Sequence, residues 1–153
     1  MDNIAFPISG QIVDDEHQLM VRIYYEDTDF SGLVYHANYL KYFERGRSEY
    51  MRLLGVHHHQ LANLETPLAF AVADIHIAYK VPARIDELIC IRSRLIQARG
   101  ASFTIEQRVT REDQLLAEGQ VQVVCIDMAG RPKRMPKHLM GMIQSQVVSH
   151  SGA

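Results

Sequence analysis

Two aspartates, Asp27 and Asp29, stand two residues apart in the stretch YYEDTDFSGLVYHANY, with Tyr25, Glu26 and His36 close by in sequence. A carboxylate in such a place has two uses. It attacks an activated carbonyl and forms an anhydride, or it orients a water and takes its proton. Either use needs a partner that polarises the electrophile. The backbone amides of Tyr35 and His36 are candidates, because a helix begins there and the first amides of a helix point outward unpaired. The alternative is structural: both aspartates make Asx-type hydrogen bonds that hold a turn. Residue types and spacing leave the two readings open.

Other familiar machinery is missing. The chain has no GxSxG nucleophile elbow, no GxxxxGK[ST] and no GxGxxG. Neither Cys90 nor Cys125 lies near a histidine in a nucleophilic setting, and both sit inside apolar strand-like runs, so they read as buried thiols. His57, His58 and His59 are adjacent, which sends their side chains in divergent directions. A solvated connection or short helix is therefore favoured over a metal site. Nothing in the chain calls for a metal or an organic cofactor.

The elements that must position the loop follow from periodicity. Val21, Ile23 and Tyr25 alternate with Arg22, Tyr24 and Glu26, which predicts a half-buried strand over Met20–Glu26. After the loop, Tyr39, Leu40, Phe43, Tyr50, Met51 and Leu54 recur at helical spacing as one apolar face. Gly46 and Arg47 share that face, and the glycine allows close approach to a sheet; Gly55 is placed to end the helix. The opposite face carries Lys41–Glu44 and Arg45–Glu49 at pairing distance. From Phe70 onward, four strand patterns follow one another with short turns, a natural antiparallel meander. In the fourth, Leu115, Ala117, Val121, Val123 and Cys125 read as inward. The class is α+β, with five antiparallel strands and one long helix across them. Several strands look apolar on more than one side, so an obligate dimer is expected.

At 153 residues the chain has room for one domain, read as 19–143, with an N-terminal arm at 1–18 and a disordered tail at 144–153. A net charge of -2 gives no basic surplus for nucleic acid. No apolar run reaches the ~20 residues of a membrane span. The N-terminus lacks the features of a secretory signal, and a cytoplasmic location is expected. Near the C-terminus, Arg131, Lys133, Arg134 and Lys137 crowd around two prolines. They read either as a solvated basic segment or, joined by Arg84 or Arg99, as a phosphate contact.

The order tyrosine, acidic residue, Asp-Thr-Asp, Gly, Val-Tyr-His-x-Asn-Tyr and Glu-x-x-Arg resembles the signature of hotdog-fold acyl-CoA thioesterases of the 4-hydroxybenzoyl-CoA thioesterase class. It is most similar to their Tol-Pal-associated bacterial branch. The segments YKVPARID, RGAS and PKRMP look like that branch too, so the resemblance spans roughly residues 20–140. It implies a hotdog fold, a five-stranded antiparallel sheet wrapped around one long helix and paired across a homodimer or homotetramer. It implies hydrolysis of acyl-CoA or acyl carrier protein thioesters. Matched by position, the catalytic carboxylate falls on Asp29, the histidine on His36 and the neighbouring tyrosine on Tyr25. Tyr35, Arg99, Gly100, Arg131 and Arg134 are the substrate-binding candidates, and Asp27 is left to loop structure. A binding module for acyl carriers, with only weak hydrolysis, is the alternative. A hotdog dehydratase fits the signature less well.

Overall fold

The structure is a computed structural model, and it describes residues 8–148. Six strands form one antiparallel sheet: β1 (Gln11–Val13), β2 (Glu16–Arg22), β3 (Ala69–Tyr79), β4 (Leu88–Arg99), β5 (Ser102–Arg111) and β6 (Gln114–Ile126). Three helices accompany them, the long α1 (Asn38–Leu53), the short α2 (His58–Ala62) and α3 (Lys137–Gln146). The α+β reading with a helix across an antiparallel sheet holds, with one strand more than expected.

The strand order is β1-β2-β4-β5-β6-β3. This corrects the simple meander, because β3 pairs with β6 and not with β4. The reason lies in the connections. Hairpin loops are short, about two to five residues, as between β4, β5 and β6, whereas residues 80–87 make a longer crossover around Pro82. Lys80 and Val81 amides still bond Leu116 O at the far side, and Ile23 N and Glu87 O close the near side at 2.9 Å.

Two terminal expectations also change. Residues 11–18, expected as a loose arm, fold into the β1–β2 hairpin and bury Glu16 and His17. The first long strand therefore starts at Glu16 and ends at Arg22, and the chain turns outward before Tyr25, which is 83% exposed. Residues 144–148 of the expected disordered tail are ordered: α3 runs to Gln146, and Val148 N bonds Leu95 O at 2.9 Å. Residues 149–153 lie outside the described residues. Both cysteines are buried and free.

α1 packs chiefly over β1, β2 and β4. Its buried positions are Tyr39, Tyr42, Phe43, Gly46, Tyr50 and Met51, while Leu40, expected inward, is 40% exposed. Of the surface pairs on this helix, the ion pair formed is Arg52–Glu49, at 3.4 Å. A Cβ on Gly46 would lie 2.7 Å from Ile91 Cγ2 and 3.2 Å from both Ser93 Oγ and Gln107 Nε2, so the glycine sets the helix-to-sheet distance. Gln107 is fully buried, and its amide donates to Phe43 O at 2.8 Å and Ser93 Oγ at 2.9 Å. Opposite Val109 and Thr110 of β5, a bulge inserts an extra residue into β6, so Leu116 becomes fully buried and Leu115 only half-buried.

Candidate active site

The loop between β2 and α1 is built around Asp27. Its Oδ2 accepts the Tyr24 amide at 2.7 Å and so caps the short helical turn Tyr25–Asp27. Its carbonyl accepts the Tyr35 amide at 3.0 Å and the Asn38 side chain at 2.7 Å. One residue thus ties the way into the loop to the start of α1. The two arms of the loop pair through Thr28 and Val34, and Leu33 pairs with Arg84 from the β3–β4 crossover.

Asp29 sits at the tip. Its amide bonds Leu33 O at 2.8 Å, its carbonyl accepts the Gly32 amide at 3.0 Å, and Gly32 takes a positive φ of 81° to complete the turn. Asp29 Oδ1 accepts the Ser31 hydroxyl at 2.5 Å and the Ser31 amide at 2.8 Å. The Asx-type reading is therefore true of one oxygen, while Oδ2 makes no hydrogen bond among the described residues. The Ser31 hydroxyl, helped by its amide, holds the Asp29 carboxyl below the ordinary aspartate value, so the exposed group is a carboxylate at neutral pH.

The amide supply at the helix start differs by one residue from the sequence reading. The Tyr35 amide is spent on Asp27, whereas the His36 and Ala37 amides have no hydrogen-bond partner among the described residues. They are the free donors at the positive end of a 16-residue helix. His36 is exposed, and its peptide carbonyl accepts from the Tyr79 hydroxyl at 2.9 Å. The Tyr79 ring stands edge-on to the His36 ring at 6.2 Å and to Tyr39 at 5.3 Å. A cleft of about 190 Å³ opens beside His36, between Tyr39, Tyr79, Lys80 and Val81. Tyr79 belongs to this site and was missed. It opens the YKVPARID segment that resembles the family, yet it lies some forty residues from His36, and no local pattern ties it to the loop.

Tyr25, Phe30 and Tyr35 surround the loop as exposed aromatics, at 83%, 108% and 47%. The remaining binding candidates lie elsewhere. β4 starts beside the loop, through Glu87, and ends at Arg99 twelve residues on, which is about 35 Å of strand. Arg99 ends β4 and Gly100 opens the β4–β5 turn, where Gly100 O accepts the Met135 amide at 3.4 Å. Arg131 Nε pairs with Asp127 at 3.3 Å. Arg134 is exposed in the same segment. Within one chain, Arg99, Gly100, Arg131 and Arg134 thus cluster at the end of the sheet opposite Asp29. Arg84 is the basic residue of the expected phosphate set that lies at the aspartate's end.

A free carboxylate oxygen, two open amides and an aromatic cleft suit an electrophilic carbonyl with an apolar substituent. Comparison with known proteins agrees in kind. The model of the thioesterase-like superfamily matches residues 23–143. The acyl-CoA thioesterase YbgC of Haemophilus influenzae is 39% identical over 129 residues, covering 84% of this chain and 94% of the relative. A probable thioesterase of Bartonella henselae superimposes with a TM-score of 0.77 at 41% identity, over 79% of this chain and 99% of the other. A 4-hydroxybenzoyl-CoA thioesterase complexed with 4-hydroxybenzoyl-CoA shares the fold, with a TM-score of 0.78 at 17% identity over 84% and 99% of the two chains.

Proposed function

The chain belongs to the thioesterase-like superfamily and is an acyl-CoA thioester hydrolase, and we propose that Asp29 is the carboxylate through which it works. The observation that carries this reading is that, among the described residues, Oδ2 of an ionised Asp29 and two amides on the same loop have no hydrogen-bond partner. In the proposed reaction the thioester carbonyl oxygen accepts from the His36 and Ala37 amides, which are aimed at the charge that develops there. Asp29 then either takes a proton from water as the water adds to the carbonyl, or adds itself to give an anhydride that water cleaves. In both routes the C–S bond breaks, the thiolate leaves and is protonated, and the carboxylate is regenerated. His36 orients substrate or water, and Tyr25 and Tyr35 wall the acyl group.

We further propose a homodimer as the working unit, with the tetramer as its larger alternative. β3 is an edge strand of eleven residues, and it leaves Val72 and Tyr79 each 47% exposed. A long, partly apolar edge invites pairing with another copy. A second chain also supplies the cover that the exposed aromatics of the loop lack. Acyl carrier protein thioesters, a cytoplasmic location and the Tol-Pal-associated branch belong to the same proposal, resting on the sequence resemblance.

The direct test is release of free thiol from short, medium, long-chain and aromatic acyl-CoAs. Enzyme-like turnover on at least one class is expected. Absence of turnover on every CoA ester, with turnover on an acyl carrier protein thioester, would reassign the substrate; absence on both would overturn the hydrolase reading.

A further inference from the structure

α1 carries a second feature ten residues beyond its open amides. A cavity of about 240 Å³ lies between α1, α2 and β3, walled by Met51, His58, Phe70, Phe103 and Val123, and Arg47 reaches into it. Phe70 stands edge-on to Phe103 at 5.3 Å and to His58 at 6.1 Å, which makes one wall aromatic. Arg47 is half-buried, and its one hydrogen bond among the described residues is a long one, 3.4 Å from Nη1 to Gln107 Oε1. Burial pushes its pKa below the ordinary arginine value, although a guanidinium stays charged.

The contrast with the other half-buried arginines is what makes this informative. Arg92 and Arg108 each hold Glu16, at 2.9 and 2.6 Å, while Arg94 holds Glu106 and Arg111 holds Glu87, both at 2.7 Å. Arg47 has no carboxylate within ion-pairing distance among the described residues; Glu44, one turn earlier, also lines the cavity, and its charge acts on Arg47 without forming an ion pair. A partly desolvated cation beside apolar walls is costly unless an anion arrives.

One face of the helix runs from the open amides to the cavity. Ala37, Leu40, Glu44, Arg47 and Met51 follow one another at spacings of three and four, and Leu40 is exposed on that line. β3 walls both ends, with Tyr79 at the His36 cleft and Phe70 at the Arg47 cavity. We infer that this cavity receives the far end of the acyl group and that Arg47 selects acyl chains ending in a carboxylate. This inference rests on the thioesterase reading above. Ten residues of helix rise ~15 Å, and helical side chains lean back toward the N-terminus. An extended chain of about eight to twelve bonds spans such a distance at ~1.2 Å per bond. The substrate class is therefore a medium-length acyl thioester with a terminal carboxylate.

The test compares decanoyl-CoA with the matching ten-carbon ester that ends in a carboxylate. It is read as kcat/KM on the wild type and, by calorimetry, as Kd on the Asp29→Asn protein. The carboxyl-ended ester should be favoured at least tenfold in both readouts, and Arg47→Met should erase that ratio while Arg47→Lys retains part of it. Equal binding of the two esters by the Asp29→Asn protein, or a preference that survives Arg47→Met, overturns the inference. If neither ester is turned over but the carboxyl-ended one still binds at least tenfold tighter, the pocket assignment stands, and the hydrolase reading is decided separately by the full set of acyl-CoA and acyl carrier protein thioesters.

Discussion

Asp27 and Asp29 are the same side chain two residues apart, and their surroundings give them different work. Asp27 spends one carboxylate oxygen on the Tyr24 amide and its carbonyl on Tyr35 and Asn38, so it is framework. Asp29 gives one oxygen to Ser31 and keeps the other free. The pKa of Asp29 is depressed, so it remains charged as pH falls until the medium drops below the ordinary aspartate value of 3.8. The acid limb of kcat/KM should therefore lie below that pH; a limb centred near 6 would point to a different group. At the helix start, Tyr79 holds the His36 peptide through a 2.9 Å hydrogen bond. Tyr79→Phe should lower kcat about 2- to 10-fold, the effect of one hydrogen bond of ~0.5–1.5 kcal/mol, with little change in melting temperature. An unchanged kcat would remove Tyr79 from the positioning of His36.

Among the elements, α1 shows both what the sequence can reveal and what it cannot. Its existence, its span and the close approach at Gly46 are legible. Helical periodicity survives for sixteen residues, and a glycine set among large side chains on the apolar face marks where a helix nears its neighbour. Gly46→Ala improves helix propensity by about 1 kcal/mol but drives a methyl into Ile91, Ser93 and Gln107. The net cost should be about 1–3 kcal/mol, seen as a drop of several degrees in melting temperature. A higher melting temperature would contradict the packing described. Which face is buried was only partly legible. Tyr42 is 1% exposed and Leu40 is 40% exposed, because the helix lies over β1, β2 and β4 and leaves its Leu40 side uncovered. Gln107 breaks the inward pattern of β5 with a buried amide whose partners come from α1 and β4, and no local signal shows them. The register of β6 slips at a bulge, an event that alternation alone cannot place.

For the whole molecule, the class and five of the six strands were legible, while β1, the first half of β2 and the path of the chain were not. The Asp29 loop could be read because its motif is local. The distance between Asp29 and the basic segment at 131–137 could not, since it depends on β4 running the full length of the sheet between them. The position of β3 depends on an eight-residue crossover that resembles an ordinary turn in sequence. That position matters, because it leaves an eleven-residue strand at the sheet edge and places Phe70 in the wall of the cavity beside Arg47. Sedimentation should accordingly report a multiple of the 17.5 kDa chain, two copies or more, at micromolar concentration. A single species of monomer mass with full activity would show that one chain is sufficient.

In the proposed mechanism the free oxygen of Asp29 carries the reaction while Asp27 carries the loop. Thiol release from the best acyl-CoA, measured for wild type, Asp29→Asn and Asp27→Asn side by side, tests it most directly. Asp29→Asn should lose at least ~100-fold in kcat, within the ~10²–10⁴ range of a proton-transferring group, without losing its fold or assembly. Asp27→Asn should retain much more activity. Near-wild-type kcat in Asp29→Asn, or equal losses in both variants, would contradict it.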